Sequence, residues 1–141
     1  MERREIALVE IYNRLYADRV ALGLNFCKRM PCKPIQPDLK SVPGLYMIEG
    51  EDHIVERNSR HPFGYPARRS MEVILEILCD IEGDAKTLYS AVRKSVLGES
   101  VRVADDSFIN ELRTEGPASY EIPDLQGIRL ILVLSYVDDG I

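Results

Sequence analysis

The first part of the chain carries apolar residues at the spacing of a helix. Between residues 4 and 22, two overlapping apolar sets recur at close to 3.6 positions, which predicts one long amphipathic helix. The sets are Ile6, Val9, Tyr12, Tyr16 and Val20, and Leu8, Ile11, Leu15 and Leu22. Together they make an apolar surface wider than the single stripe of a surface helix. We therefore expect this helix to cover two surfaces, one of which could belong to a neighbouring subunit.

A proline-rich segment follows the predicted helix. Residues 23–44 contain four prolines and two glycines, and because proline removes a backbone donor and fixes φ, they are predicted to form an extended connector. Two short apolar runs, 45–48 and 53–55, then flank the polar residues 49–52, a pattern that predicts a β-hairpin. Residues 57–69 hold two prolines and a glycine and are predicted to form a long loop.

The middle of the chain predicts a strand followed directly by a helix. Alternate positions from 71 to 79 are all apolar, which predicts a half-buried strand over residues 70–80. Gly83 and Asp84 then supply a break and a helix N-cap. The apolar spacing from residue 85 to residue 96 predicts a helix that ends at Gly98.

The last third of the chain predicts short strands and one long strand. Residues 101–103 and 119–122 are predicted to be short strands, separated by a polar stretch through residues 105–116. Residues 127–137 are apolar on both sides of the alternation, which predicts a strand covered on both faces. Ile131 and Val133 lie on the second face, and we expect another subunit to cover them.

This order of elements predicts the fold class. A helix, a hairpin, a strand, a helix and two further strands fit an α+β fold, in which an antiparallel or mixed β-sheet carries two helices packed on one face. A length of 141 residues is typical of one domain. We therefore expect residues 1–141 to form a single α+β domain.

Composition and charge argue against several functional classes. The net charge is −5 and the sequence pI is about 5.1, whereas a general nucleic-acid binder needs clustered Lys and Arg. No N-terminal stretch has the order of a secretory signal, and three cysteines are an odd number, which favours a reducing cytoplasm. The longest apolar run, residues 130–134, is far shorter than the roughly 20 residues of a membrane-spanning helix. We expect no membrane contact.

Candidate catalytic and metal-binding residues are few. His53 lies beside Glu51 and Asp52, and a small metal-dependent hydrolase that uses these residues is an alternative hypothesis. Neither this trio nor His61 has the spacing of a known metal motif, and the cysteines lack the paired spacing of a zinc or redox site. The sequence contains no GxSxG, GxGxxG or GxxxxGK[ST] motif. We expect no catalytic site, no metal and no cofactor.

Charged residues are divided between two segments of opposite sign. Residues 57–69 include four arginines and no acidic residue, whereas residues 105–126 include six acidic residues and one arginine. Two solvated loops would explain this division. Head-to-tail contacts, in which the basic segment of one subunit meets the acidic segment of the next, would also explain it. The candidate interface residues are Arg57, Arg60, Arg68, Arg69, Asp105, Asp106, Glu111, Glu115, Glu121 and Asp124, with the apolar Ile131 and Val133.

Several phrases of the sequence are similar to those of one viral family. They are REIALVEIYNRLY near the N-terminus, ARRSMEVILEILCD followed directly by DAKTLYSAVRKSVLG, then VRVADDSFINELRTEGP and the closing LQGIRLILVLSYVDD. In this order the chain resembles the tail-terminator, or tail-completion, proteins of tailed bacteriophages. The phrase EGPASYEIPDLQGIRL is similar to the one that introduces the last strand in that family. Residues 25–44 and 57–69 have no counterpart in it.

This resemblance implies a structural virion protein that needs no catalysis. It implies a ring, expected to be a hexamer, that caps the head-proximal end of the tail tube, ends its polymerisation and provides a docking surface for the head or neck connector. The implied partners are further copies of the chain, the tail tube protein, the connector protein and, in a contractile tail, the sheath protein. DNA passes only in transit through the lumen, and the implied location is the virion, with assembly in the host cytoplasm. The alternative is another neck or head-completion subunit of similar fold.

Overall fold

The structure is a computed structural model that describes residues 2–32, 41–60, 64–98, 100–119 and 124–139. These residues form two helices and six strands. In chain order, the elements are α1 (Arg3–Ala17), β1 (Phe26–Met30), β2 (Gly44–Arg57), β3 (Ala67–Asp80), α2 (Ala85–Leu97), β4 (Arg102–Ala104), β5 (Ser107–Ser119) and β6 (Leu125–Asp138).

The six strands form one mixed sheet in the order β1-β2-β3-β6-β5-β4. β1 runs parallel to β2, and all other neighbouring strands run antiparallel. β3 and β6 pair along their whole lengths, from Ala67 opposite Asp138 to Asp80 opposite Leu125. These two pairs define the two ends of the sheet, which we call the Ala67 end and the Asp80 end.

The expected arrangement, with two helices packed on one face of the sheet, is wrong. The sheet is a curled half-barrel, the described residues are 52% strand and 24% helix, and the helices do not form a clear layer on one face. Instead, α1 contacts β1, β4 and β6, while α2 contacts β3, β5 and β6. Irregularities in the pairing of β2 with β3 and of β5 with β6 contribute to the curl, because a β-bulge bends its strand and increases its twist.

Two clusters of buried side chains hold the fold together. The main cluster joins both helices to the sheet, and its fully buried members include Leu8 of α1, Val92 of α2 and Leu132 of β6. Because successive strand residues point to opposite faces, Tyr46 and Leu78 lie on the other face, where they belong to the second cluster. Strands β2, β3 and β6 therefore carry buried apolar residues on both faces.

The two helices differ in how closely they follow the prediction. α2 lies where it was expected, and the Asp84 carboxylate caps it by accepting a hydrogen bond from the Thr87 backbone N–H at 3.0 Å. α1 ends at Ala17, well before the predicted end at residue 22, and the chain then turns through Gly23 at a φ of 72°. Among the described residues, neither helix has the length and apolar character needed to span a membrane.

The strand predictions are confirmed only in part. β3 and β6 confirm the strands predicted at 70–80 and 127–137, and β4 lies close to its predicted position. The predicted hairpin within residues 45–55 is wrong, since β2 continues to Arg57 and pairs with β3 only after the following loop. β1 was missed in the predicted connector, and β5 was missed in the predicted polar stretch. The strand predicted at 119–122 lies mostly outside the described residues.

Candidate interaction surfaces

β5 is exposed over most of its length. Every residue from 110 to 119 is exposed, although the strand pairs with β6 on one side. On its other side, β4 and the residue before it reach only as far as Ile109. In the described part of the chain, no strand pairs with the rest of that side. Residues 111–119 therefore form an exposed strand edge, which we call the open β5 edge.

A second open edge lies on the opposite side of the sheet. β1 pairs with β2 from Gly44 to Ile48, near the Asp80 end. Among the described residues, no strand pairs with the outer side of residues 49–57, which continue to the Ala67 end. We call this run the open β2 edge. Both edges offer backbone donors and acceptors to a further strand.

Among the acidic candidates that the structure describes, Glu111 is the one that attaches β5 to a helix. Its carboxylate accepts hydrogen bonds from the Arg93 guanidinium at 2.6 Å and from the Tyr89 hydroxyl at 2.9 Å, both on α2. The hydrogen bond from Arg93 lowers the pKa of Glu111, and that from Tyr89 lowers it further. Glu111 therefore attaches β5 to α2 as a charged carboxylate at neutral pH.

The other acidic candidates that the structure describes lie at the margins of the sheet. Asp105 and Asp106 form the turn between β4 and β5 near the Ala67 end, and their side chains are 93% and 68% exposed. Asp105 pairs with Arg102 at 2.7 Å, and Asp106 pairs with Arg3 at 3.5 Å. Glu115 lies on the open β5 edge, and Asp124 lies in the turn before β6. Glu121 lies outside the described residues. The acidic segment is thus spread along one side of the sheet.

The four basic candidates are divided between the surface and the interior. Arg57, Arg60 and Arg68 are exposed at the Ala67 end. Arg69 follows Arg68 on β3 and points to the opposite face, where it contacts the Asp52 carboxylate at 3.2 Å. The exposed basic surface therefore consists of three arginines, and Arg69 belongs to an internal contact.

Asp52 is the centre of a polar network that the sequence analysis did not predict. Its carboxylate lies 3.4 Å from the Arg4 guanidinium of α1, contacts Arg69, and accepts a hydrogen bond from the Tyr136 hydroxyl of β6. Burial raises the pKa of Tyr136, and the neighbouring Asp52 carboxylate raises it further. The network ties the start of α1 to three strands. No local sequence signal reveals it, because Asp52 and Tyr136 are 84 positions apart.

The three residues of the hypothetical metal site do not come together. The carboxylate of Asp52 is engaged in the polar network, whereas Glu51 and His53 are exposed. Among the described residues, no group of three or more His, Cys, Asp or Glu side chains is placed to hold a metal ion. His61 lies outside these residues. The geometry of β2 therefore gives the hydrolase hypothesis no support.

The cysteines do not form a reactive pair. All three are free, with Cys27 and Cys79 buried and Cys32 exposed. Burial raises the pKa of the Cys27 thiol to about 11, whereas reactive cysteines need a lowered pKa. Cys27 and Cys79 are therefore small apolar residues of the core.

The two apolar candidates lie on the sheet face that carries the second cluster. Ile131 is only 2% exposed and Val133 is half-buried. On the same face, Glu76 is 2% exposed and its carboxylate lies 3.4 Å from the Arg129 guanidinium. The subunit already covers Ile131, and contact of these two residues with another subunit stays a prediction.

No protein-family model and no curated protein matches this chain. Its fold, however, matches 26 chains of solved structures. One such chain belongs to a structure described as the virion of a native gene transfer agent particle. The two chains superpose with a TM-score of 0.56 over 91% of each chain, at 18% sequence identity. The likeness shows a shared fold that extends over nearly the whole length of both chains.

Proposed function

We propose that this protein is a structural subunit of a tailed, phage-like virion, in which it forms a ring that caps the head-proximal end of the tail tube. The observation that carries the proposal is the fold shared with a chain of the gene transfer agent virion, a phage-like particle, over 91% of both chains. The resemblance of the sequence to tail terminators supports the finer assignment. In this role the protein acts by contact and not by catalysis.

The exposed strand edges support assembly with other chains. A strand that is exposed on both faces adds little to the core of its own subunit, whereas its free edge can pair with another strand. Acidic residues on one side of the sheet and basic residues on the other also favour contacts between copies in a head-to-tail order. A ring of six subunits is the expected product.

The proposed partners follow from this position in the particle. They are other copies of the chain, the tail tube protein, the head or neck connector and, in a contractile tail, the sheath protein. DNA passes through the lumen of the ring without being recognised, in keeping with a net charge of −5. The proposed location is the virion, at the head-proximal end of the tail.

A neck or head-completion subunit is the second candidate. The fold likeness favours it as much as the first, because the matched chain is described only as part of a whole virion. The two candidates differ in the partner that the ring binds, since a terminator binds the end of the tube and a neck subunit binds the connector.

Incubation of the purified protein with tubes of the cognate tail tube protein tests the proposal. We expect native mass spectrometry to show a closed oligomer, in solution or on the tubes, and electron microscopy to show it at one tube end. Capped tubes should not lengthen when more tube protein is added. A protein that stays monomeric and binds neither tubes nor connectors would overturn the proposal, and a ring that binds only connectors would favour the neck assignment.

A further inference from the structure

The two sides of the sheet have complementary shapes. On one side, β4 projects at the Ala67 end and leaves the open β5 edge, residues 111–119, recessed towards the Asp80 end. On the other side, β1 projects at the Asp80 end and leaves the open β2 edge, residues 49–57, recessed towards the Ala67 end. Each side therefore has the shape of a step, with one projecting short strand and one recessed open edge. Two copies placed side by side in the same orientation would interlock, because the projecting strand of each copy faces the recessed edge of the other.

We propose that the subunits assemble head to tail through these two stepped sides. β1 of one copy lies beside the open β5 edge of its neighbour, and β4 of that neighbour lies beside the open β2 edge of the first copy. The inference rests on the proposed function, and it specifies the contact from which the ring is built. A contact between two different sides of the same subunit closes into a ring when its rotation allows.

Strand directions favour this pairing. β2 runs from the Asp80 end to the Ala67 end, and the parallel strand β1 runs the same way. β5 runs in the opposite direction, since it is antiparallel to β6. In two copies with the same orientation, β1 and the open β5 edge are therefore antiparallel, which is the commoner arrangement of paired strands. The five residues of β1 fit within the length of residues 111–119.

Exposed charges of opposite sign lie on the two sides at the Ala67 end. There Asp105 and Asp106, which pair with Arg102 and Arg3, lie on the β4 side, and Arg57 and Arg60 lie on the β2 side. Towards the Asp80 end, β1 carries the exposed Lys28, whereas the two glutamates of the open β5 edge, Glu111 and Glu115, are already paired within the subunit. The open β2 edge also has two exposed glutamates, so its positive charge lies at its last residue and in the following loop.

Exposed apolar side chains are present on both of these sides. Among the described residues, Val55 lies on the open β2 edge, Leu112 lies on the open β5 edge, and Val101 directly precedes β4. Val55 is 59% exposed and Leu112 is 48% exposed, so a partner that covers both sides removes a substantial apolar area from water.

The occupant that fits both sides is a second copy of this chain. The two steps have matching shape, β1 is antiparallel to the open β5 edge, and β4 is parallel to the open β2 edge. Charges of opposite sign lie on the two sides at the Ala67 end, and each ring subunit would use both steps at once. A strand from a different protein could cover one edge, but it would leave the other open. Protection of both edges in an assembly of identical chains therefore distinguishes the two cases.

Two charge-reversal variants test the pairing. Asp105→Lys with Asp106→Lys makes both sides basic at the Ala67 end, and Arg57→Glu with Arg60→Glu makes both sides acidic. At low salt, each variant alone should assemble at least about tenfold more weakly, because like charges then face each other. An equimolar mixture should assemble again, since each acidic side then meets a basic side. Native mass spectrometry should show rings with equal numbers of the two variants.

A matched control separates the interface from net charge. Lys86→Glu with Lys94→Glu makes the same change in net charge as Arg57→Glu with Arg60→Glu, on exposed residues of α2 other than Tyr89 and Arg93, which bind the open β5 edge. This variant should assemble as the unmodified protein does. All variants change exposed side chains, but Asp106 has a φ of 56°, which Asp tolerates better than Lys, and Asp105 pairs with Arg102. The melting temperature of each variant as a monomer therefore separates a loss of stability from a loss of assembly.

Hydrogen exchange tests the backbone pairing independently of charge. In the ring, alternate amides of both open edges should exchange at least about tenfold more slowly than in the monomer, since every second N–H of an edge strand points outward. Rings with unchanged exchange at the edges, or reversal variants that assemble normally, would overturn this interface and leave the ring function standing. Protection of one edge only would assign that edge to a different partner. A chain that never oligomerises, alone or on tubes, would overturn the proposed function itself.

Discussion

β6 and β5 are neighbouring strands of nearly equal length, with 14 and 13 residues, but they lie in opposite environments. β6 lies between β3 and β5, and apolar residues on both of its faces are buried, as Leu132 and Ile131 show. β5 pairs with β6 along most of its length, yet its residues from 110 to 119 are all exposed. The two strands share the same hydrogen-bonded ladder and differ in packing.

This difference separates the part of the sheet that stabilises the subunit from the part that is available to partners. Complete burial of one leucine side chain contributes about 1.5–3 kcal/mol to stability. The centre of β6 contains four leucine or isoleucine side chains that are at most 2% exposed, Leu130, Ile131, Leu132 and Leu134. The exposed part of β5 makes no such contribution. Its length is therefore better explained by contacts outside the subunit.

The largest effect should come from truncating the centre of β6. Leu132→Ala removes a fully buried side chain and should lower the free energy of unfolding by about 2–5 kcal/mol. The matched change on β5, Leu112→Ala, should cost less than about 0.5 kcal/mol, because that side chain is 48% exposed. Urea denaturation of both variants as monomers measures the difference. Equal losses would show that β5 is as important to the subunit core as β6.

The same contrast explains which strands could be predicted from the sequence. β3 and β6 pack against other parts of the same chain, so their apolar residues recur regularly and the sequence reveals them. β5 is exposed from residue 110 onwards, and its sequence there therefore lacks the apolar alternation that marks a half-buried strand. β1 has five residues next to a proline-rich segment, too few for a clear period.

The incorrect hairpin has a different physical cause. Glu49, Gly50, Glu51 and Asp52 have the composition of a turn, but β2 continues through them with an irregularity in its pairing to β3. A Cβ atom at Gly50 would lie 2.9 Å from the Cβ of Glu72, so the glycine permits a close approach of two strands. Composition alone does not distinguish that role from a turn.

The distribution of charge along the sequence predicted the candidate surfaces, and the structure shows that some of those charged residues contact other residues of the same subunit. The basic and acidic segments do lie on different sides of the sheet, and this follows from their positions in separate strands and turns. The sequence does not show that Arg69 and Glu111 are used within the subunit. Those contacts join residues far apart in the chain, Arg69 with Asp52 and Glu111 with Arg93, and depend on the order of the strands.

The second-largest loss of stability should come from a change that releases β4, the strand that covers the first part of β5. Arg14 of α1 is buried, and its guanidinium donates to the backbone carbonyls of Val96, Ser100 and Arg102. Arg14→Met leaves these acceptors without their charged donor and should cost about 1.5–3 kcal/mol. Hydrogen exchange should show faster exchange at residues 100–104, and β3 should be unaffected.

Arg19→Met is the matched control for this change. Arg19 also lies near α1, but its guanidinium donates to the carbonyl of Tyr16 in an exposed hydrogen bond. The control should leave both stability and exchange at β4 nearly unchanged. If the amides of β4 exchanged as slowly in Arg14→Met as in Arg19→Met, the Arg14 guanidinium would not be the group that fixes the position of β4.

A smaller effect should follow from removing the polar contact of β6. Tyr136→Phe deletes the hydrogen bond to Asp52, which keeps its contacts with Arg4 and Arg69, and should cost about 1 kcal/mol at neutral pH. The pKa of Tyr136 is raised in the folded state. The contribution of its hydroxyl to the free energy of unfolding is therefore complete below the unfolded pKa of about 10, and it is lost as the pH rises towards the folded pKa. The stability difference between the two proteins should therefore shrink above about pH 10. A constant difference up to pH 11.5 would contradict a raised pKa.

The smallest effect should occur where β5 is attached to α2. Glu111→Gln weakens the contact with Arg93 on an exposed surface, so the melting temperature should fall by no more than about 2 °C at pH 7. The pKa of Glu111 is lowered in the folded state, so its contribution is present above the unfolded pKa of about 4.3 and is lost as pH falls through the folded value. The difference in melting temperature between the two proteins should accordingly become smaller as the pH falls below about 4.3. Glu115→Gln is the control on the same strand, and because the partners of Glu115, Arg113 and Arg129, lie on β5 and β6, it should not loosen the contact between β5 and α2. A loss of stability from Glu111→Gln as large as that from Leu132→Ala would mean that this one surface contact stabilises the sheet as much as a fully buried leucine of β6, which would contradict the prediction.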